Sequence, residues 1–176
     1  MTRVRARVLA ALVLTFATVW IGFGLLLEPW RSAEAAFVSG VLRAAGVAGV
    51  REAYGSLILV LPPGSRPFLA TISPSCSSLG AVLAFAAFAL FLVGGPWPRR
   101  FLAFASASGL VIVCNLLRIG LSIWVGVLTG SPGLVVFHDW VGTAFGIVYI
   151  LMGFMVFLAI LLPSNRQLLK EMNRAH

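Results

Sequence analysis

Four stretches of this chain run for most or all of a membrane's thickness with almost no charge. Residues 8–27, 79–94 and 141–162 carry none, and residues 101–128 hold Arg118 as their single charge. A bilayer's hydrocarbon core is about 30 Å thick, so a helix needs ~20 mostly apolar residues to cross it. A soluble domain of this length has too little interior to hide four such faces. Only 10% of the residues are charged and 60% are hydrophobic, whereas soluble domains average about 25% charged. A soluble enzyme, a disordered chain and a disulfide-stapled miniprotein are thereby excluded. The expectation is an all-α integral membrane protein of one domain: a bundle of about four transmembrane helices with a small extracytoplasmic helix and a β-hairpin.

The charges between the runs set an orientation. Arg3, Arg5 and Arg7 precede the first run, Arg99 and Arg100 separate the second from the third, and Arg166, Lys170 and Arg174 follow the fourth. With a cytoplasmic N-terminus these fall on one side with Glu171, a net of +7; Arg31, Arg43, Arg51, Arg66 and Arg118 fall on the other with Glu28, Glu34, Glu52 and Asp139, a net of +1. Short basic loops stay in the cytoplasm, so both termini are expected inside. The formal charge of +8 is thus spent at membrane boundaries, not on nucleic acid, and the tail from Arg166 to Arg174 is expected to be a lipid-facing anchor. Residues 8–27 exceed the ~7–15 residues of a signal-peptide core, although Ala33-Glu34-Ala35 resembles a cleavage site. They are taken as a retained span.

The third run is too long for one crossing. As a straight helix, residues 101–128 would measure ~42 Å. Arg118 then falls about 27 Å from the start, at the outer boundary. The spans are accordingly placed at 8–27, 77–94, 101–118 and 139–162, with an outer segment at 28–75 and an interfacial segment at 119–137 that bends near Gly120 and holds Trp124 at headgroup level. Two half-length helices re-entering the membrane are the alternative. In the outer segment, Ser32 is a plausible N-cap for a short helix ending near Gly46, with Phe37, Val41, Leu42 and Ala45 on one face. Residues 56–61 and 67–73, divided by Pro62-Pro63-Gly64-Ser65, form the expected hairpin.

This topology puts three reactive side chains at one depth. Cys76 opens the second span, Arg118 closes the third and His138 opens the fourth. Small residues follow each at helical spacing: Gly80, Ala84 and Ala87 after Cys76; Gly142 and Gly146 after His138; Cys114, Ala107 and Ala103 below Arg118. Small faces let membrane helices pack closely, so the three groups would share one mouth. A thiolate can attack a carbonyl while an imidazole takes and returns the proton, and a guanidinium can hold the oxyanion without losing its charge. An ionisable group at membrane depth is costly and hence a functional candidate. Asn115, one turn from Arg118, could bond it or a substrate backbone. Asp139 could orient His138 or Arg118, and Ser75 and Ser77 could contact substrate or cap the second span.

Other readings of the same residues stay open. Cys76 could be a buried hydrophobe, Arg118 could snorkel to phosphate, and the chain could be a non-enzymatic subunit or assembly factor binding a lipid headgroup or a partner protein. Cys114 is expected to pack below Arg118, yet a Cys76–Cys114 disulfide is conceivable outside the cytoplasm and would make a thiol–disulfide carrier. No HExxH is present and the only other histidine is His176, so neither a metal nor an organic cofactor is expected.

Ser75-Cys76-Ser77, Asn115-Leu116-Leu117-Arg118-Ile119 and His138-Asp139-Trp140-Val141-Gly142, in that order and separated by spans, resemble the motifs of the exosortase/archaeosortase family of membrane cysteine transpeptidases. The resemblance covers roughly residues 55–162. It implies Cys76 as nucleophile, Arg118 as oxyanion partner, His138 as acid and base, and a site on the extracytoplasmic side of the cell membrane. It further implies substrates among exported proteins that end in a short motif, a hydrophobic span and a basic tail, with the acyl group passed to a glycan or lipid acceptor of unknown identity. Many members have Cys-Ser-Gly where this chain has Cys76-Ser77-Ser78, and typical members have further N-terminal spans.

Overall fold

The computed structural model describes residues 2–64, 66–92 and 96–162, so the basic residues Arg166, Lys170 and Arg174 lie outside the described residues. In chain order the elements are α1 (Thr2–Ala44), β1 (Val50–Glu52), β2 (Leu57–Val60), β3 (Phe68–Thr71), a 3₁₀ turn at Pro74–Cys76, α2 (Leu79–Ala87) continued by a π-helical turn (Phe88–Leu92), α3 (Trp97–Val136), a second π-helical turn (Phe137–Gly142) and α4 (Thr143–Leu161). The chain is mostly helical. Two apolar helical stretches, Val8–Ala44 and Trp97–Leu161, are long enough to cross a bilayer, and Leu79–Phe91 is a shorter apolar helix. Leu9, Phe16, Trp20 and Leu25 of α1 are exposed, an arrangement costly in water and neutral against lipid chains.

The longer stretch is two helices. Gly130 lies inside α3 with φ 79° and ψ −175°, a conformation a residue with a Cβ rarely adopts. Pro132 follows in the first turn of the returning helix, where a missing N–H costs no bond. The segments on either side of Gly130 then run antiparallel. A Cβ on Gly126 would come 3.1 Å from Leu134 Cβ, one on Gly142 would come 3.1 Å from Arg118 Nε, and one on Gly153 would come 2.8 Å from Val111. Farther along, Arg99 Nη2 donates to the Leu162 carbonyl at 2.7 Å.

The turn therefore lies ten residues beyond the bend expected near Gly120. Gly120 is ordinary helix, and a Cβ there would sit 3.8 Å from Val38, so this glycine marks the close approach of α1 to α3. Residues 119–129 continue the helix, and Arg118 lies in its interior instead of at its end. A second correction concerns the outer segment. Pro29 falls inside α1, and helix continues unbroken from Thr2 to Ala44. Ser32 is no N-cap: its hydroxyl donates to the Glu28 carbonyl one turn back, at 2.9 Å.

The hairpin is present and acquires a third strand. β2 pairs antiparallel with β3 in register Leu57↔Thr71 and Val60↔Phe68, and β1 joins on the other side with Val50↔Val60. One sheet face is apolar. Ile58, Val60 and Ile72 are buried together with Ala35, Val38 and Leu42 of α1 and Ile119, Ile123 and Val127 of α3, and Cys76 belongs to this cluster. A second cluster fills the other end of the bundle, where Phe85 and Ala89 meet Ala103, Ala107 and Val111 of α3 and Tyr149 and Phe157 of α4. Phe85 and Phe157 meet in a tilted pair at 5.5 Å between centroids, a contact worth about 0.5–1.5 kcal/mol beyond the area it buries. The polar residues lie between the two clusters.

Candidate active site

Cys76 is held by the turn that joins the sheet to α2. Ser73 is extended, with φ −71° and ψ 159°, and Pro74 starts the 3₁₀ turn with its fixed φ. Cys76 N donates to the Ser73 carbonyl at 2.9 Å. The turn presents the thiol toward α3 and α4 and not along α2. Ser73 Oγ donates to Cys76 Sγ at 2.8 Å and also contacts Ser75 Oγ at 2.9 Å. This bond fixes the direction of the sulfur, so its place beside the imidazole depends on Ser73.

His138 comes from the π-helical turn between α3 and α4. Such turns insert one residue into the helix, re-aim a side chain, and recur at functional sites. His138 Nε2 lies 3.0 Å from Cys76 Sγ and 3.2 Å from Arg118 Nη2, and Nδ1 lies 3.1 Å from Asp139 Oδ1. These contacts fix the tautomer. Arginine nitrogens only donate, so the guanidinium makes Nε2 an acceptor. The ring proton then sits on Nδ1, where Asp139 accepts it. The single lone pair on Nε2 is approached by both the guanidinium and the sulfur, so it can take the thiol proton when the guanidinium turns to an incoming oxygen.

Arg118 is 8% exposed. Its guanidinium fits because the facing helix has no side chain there. A Cβ on Gly142 would come 3.1 Å from Nε and one on Gly146 would come 3.8 Å from Nη1. Nε is buried with no hydrogen-bond partner among the described residues. A free N–H of a fixed cation, next to the thiol's partner, is suited to an incoming oxygen with negative charge.

Behind Arg118 the polar network continues into the bundle. Tyr149 OH sits beside the guanidinium, 3.9 Å from the position a Gly146 Cβ would take, and donates to Asn115 Oδ1 at 2.8 Å. Asn115 Nδ2 donates to Glu34 Oε1 at 3.1 Å. The same oxygen accepts from Ser78 N at 3.0 Å, Ser78 Oγ at 2.7 Å and Trp30 Nε1 at 3.2 Å. One carboxylate oxygen thus ties α1, the start of α2 and α3 together, and through Tyr149 reaches α4.

The structure brings Cys76, Arg118 and His138 into one contact set, with Asp139 on the outer side of the imidazole and Asn115 one turn below the guanidinium. Ser75 bonds Ser73 and does not reach the sulfur. Ser77 Oγ accepts from Leu79 N at 3.3 Å, a bond that serves the start of α2. Cys76 and Cys114 are both free thiols, and Cys114 packs against the second core cluster. Sequence reasoning overlooked Ser73, Glu34 and Tyr149. Tyr149, which shares the run 141–162 with only one other hydroxyl, Thr143, was a signal, since a buried hydroxyl needs a partner. So was the spacing of Trp30, Glu34 and Val38, which puts all three on one face of a helix.

A cavity of about 50 Å³ adjoins the thiol and the imidazole. It opens between β3 and the helices on either side of Gly130. No curated protein and no solved structure matches the chain. A family model described as transmembrane exosortase matches residues 1–162.

Proposed function

Because the chain belongs to the transmembrane exosortase family, we propose that it is a membrane cysteine peptidase and transpeptidase that cuts exported proteins near a C-terminal hydrophobic tail. The observation that carries this reading is the contact set around one imidazole nitrogen: Cys76 Sγ at 3.0 Å and Arg118 Nη2 at 3.2 Å. In the proposed topology four spans cross the membrane, both termini are cytoplasmic, and the site opens to the outer face. Support comes from the basic residues that flank the apolar runs on one side.

The chemistry follows from the three groups. His138 Nε2 takes the Cys76 proton, and the thiolate attacks the scissile carbonyl carbon. The carbonyl oxygen becomes an oxyanion, which Arg118 holds through N–H groups already buried and oriented. As the carbon–nitrogen bond breaks, His138 returns its proton to the departing amine, and the tail leaves. An acyl thioester on Cys76 remains. An acceptor hydroxyl or amine then attacks it, gives its proton to His138 and releases the thiolate; water in place of the acceptor gives hydrolysis. Asp139 keeps the imidazole in the tautomer that both half-reactions need.

The test is co-expression with exported proteins that end in a hydrophobic span and a basic tail. The unaltered enzyme is expected to remove the tail and to leave a mass adduct on Cys76. Tail removal that persists in Cys76→Ala would overturn the reading.

A further inference from the structure

The residues leading into Cys76 form a strand with one edge that pairs with no other strand among the described residues. In the sheet order β1-β2-β3, β3 is terminal, and the register says which of its groups face outward. Ala53 N donates to the Leu57 carbonyl at 3.0 Å and Leu61 N to the Gly49 carbonyl at 2.6 Å. The odd-numbered residues of β2 therefore turn their main chain to β1, and in an antiparallel ladder the alternate residues must turn to the other neighbour. Consistent with this, Ile72 N donates to the Ser56 carbonyl at 3.1 Å. In the pairs Ile58↔Ala70 and Val60↔Phe68, β3 spends its even-numbered residues on β2. Leu69 and Thr71 consequently aim N–H and C=O away from the sheet, and both residues are exposed.

The cavity of about 50 Å³ next to this edge is lined by Ala70 and Thr71 of β3 and Ile72 just after it, by Leu134 beyond the turn, and by Cys76 and His138. Edge and reactive thiol thus border the same small space. An unpaired edge is a hazard unless short, charged or used. This one is short and carries Arg66 and Pro67 at its start.

Resting on the peptidase reading above, the geometry points to β3 as the substrate-binding strand. An extended segment of the substrate adds to its free edge, pairing its main chain with Leu69 and Thr71. The side chain preceding the scissile bond enters the cavity, which sets the carbonyl of that residue at Cys76. Strand addition supplies affinity through main-chain bonds, and pockets for alternate side chains supply selectivity. The substrate class is therefore a peptide that is extended ahead of the cut and has a small, non-aromatic side chain at the cut itself.

The experiment uses the full chain in lipid nanodiscs and tripeptidyl chloromethyl ketones. In this reaction the Cys76 thiolate displaces chloride, a sulfur–carbon bond forms, and the thiol proton leaves through His138. Each alkylation rate at Cys76, read by mass, is divided by the rate with iodoacetamide, which has no peptide to pair. With alanine at all three positions, methylating one of two consecutive amide nitrogens is expected to lower the ratio about tenfold, the effect of one lost hydrogen bond with its desolvation. Methylating the other is expected to leave it unchanged, because alternate amides point away from β3. Phenylalanine beside the ketone should lower the ratio by about tenfold or more. Thr71→Pro, which removes one outward N–H at an edge where proline is tolerated, should lower it about tenfold. Should that variant fail to fold, the methylated probes on the unaltered chain still decide. Equal ratios for the two methylated probes and the parent, or for phenylalanine and alanine, would overturn the inference. If iodoacetamide itself reacts with Cys76 no faster than in His138→Ala, the peptidase reading fails instead.

Discussion

Two polar clusters flank Arg118, and among the described residues each leaves a buried atom unpaired: an acceptor, Glu34 Oε2, below and a donor, Arg118 Nε, above. Below it, Glu34 Oε1 takes donors from Ser78, Asn115 and Trp30, and Tyr149 completes the chain back to the guanidinium region. Above it, one lone pair on His138 is approached by both the Cys76 sulfur and Arg118, Arg118 Nε has no partner among the described residues, and a cavity adjoins the thiol. A buried network with its donors paired is rigid, while an unpaired donor at depth costs about 1–3 kcal/mol. The lower cluster holds four elements in place. The upper one keeps unspent bonding capacity where a substrate would arrive.

Substitutions should separate the two. Cys76→Ala is expected to abolish tail cleavage while the thermal midpoint in detergent stays close to that of the parent, since a small group is removed from a site with space beside it. Arg118→Ala should lower cleavage by about 10²–10³-fold, the usual loss for an oxyanion donor. A drop in midpoint as large as that of the Glu34 variants would merge the clusters into one structural network. Glu34→Leu is expected to act the other way, costing about 3 kcal/mol of stability because several buried donors lose their acceptor at once. Glu34→Gln keeps an oxygen at that place and should cost less than half as much, as judged by the same thermal assay.

Smaller changes sharpen the boundary. Gly142→Ala puts a carbon 3.1 Å from Arg118 Nε. The guanidinium must shift, and cleavage should fall about tenfold, because small misplacements in a fixed site are costly. Ser73→Ala removes the hydroxyl at 2.8 Å from the sulfur and should slow Cys76 alkylation by about three- to tenfold, one hydrogen bond's worth, with little change in midpoint. No change in alkylation would mean that Ser73 belongs only to the turn.

The upper cluster was legible in the sequence because membrane-depth polar residues are few. Cys76, Arg118 and His138 stand out in or beside apolar runs, and charge placement alone put them at one level. The lower cluster was not, because Glu34 sits beyond Pro29 in a stretch counted as outer loop, where an acid looks like a solvated charge. Helix persists through Pro29 and turns Trp30, Glu34 and Val38 inward together. The bend was misplaced for a related reason. Helix length was set by bilayer thickness, and that rule ends a helix at the membrane surface. Here α3 runs past Arg118 and packs on the sheet through Ile119, Ile123 and Val127, so the turn falls at Gly130-Ser131-Pro132. The family relation and the hairpin were both visible from motif order and turn residues.

The central claim is that one imidazole activates one thiol at the outer rim of the bundle. It is tested most directly by the rate at which iodoacetamide, added outside intact cells at pH 7, alkylates Cys76 in the parent and in His138→Ala. A rate at least about tenfold lower without the imidazole is predicted, in keeping with the usual contribution of a positioned base. Equal rates in the two proteins would contradict the account.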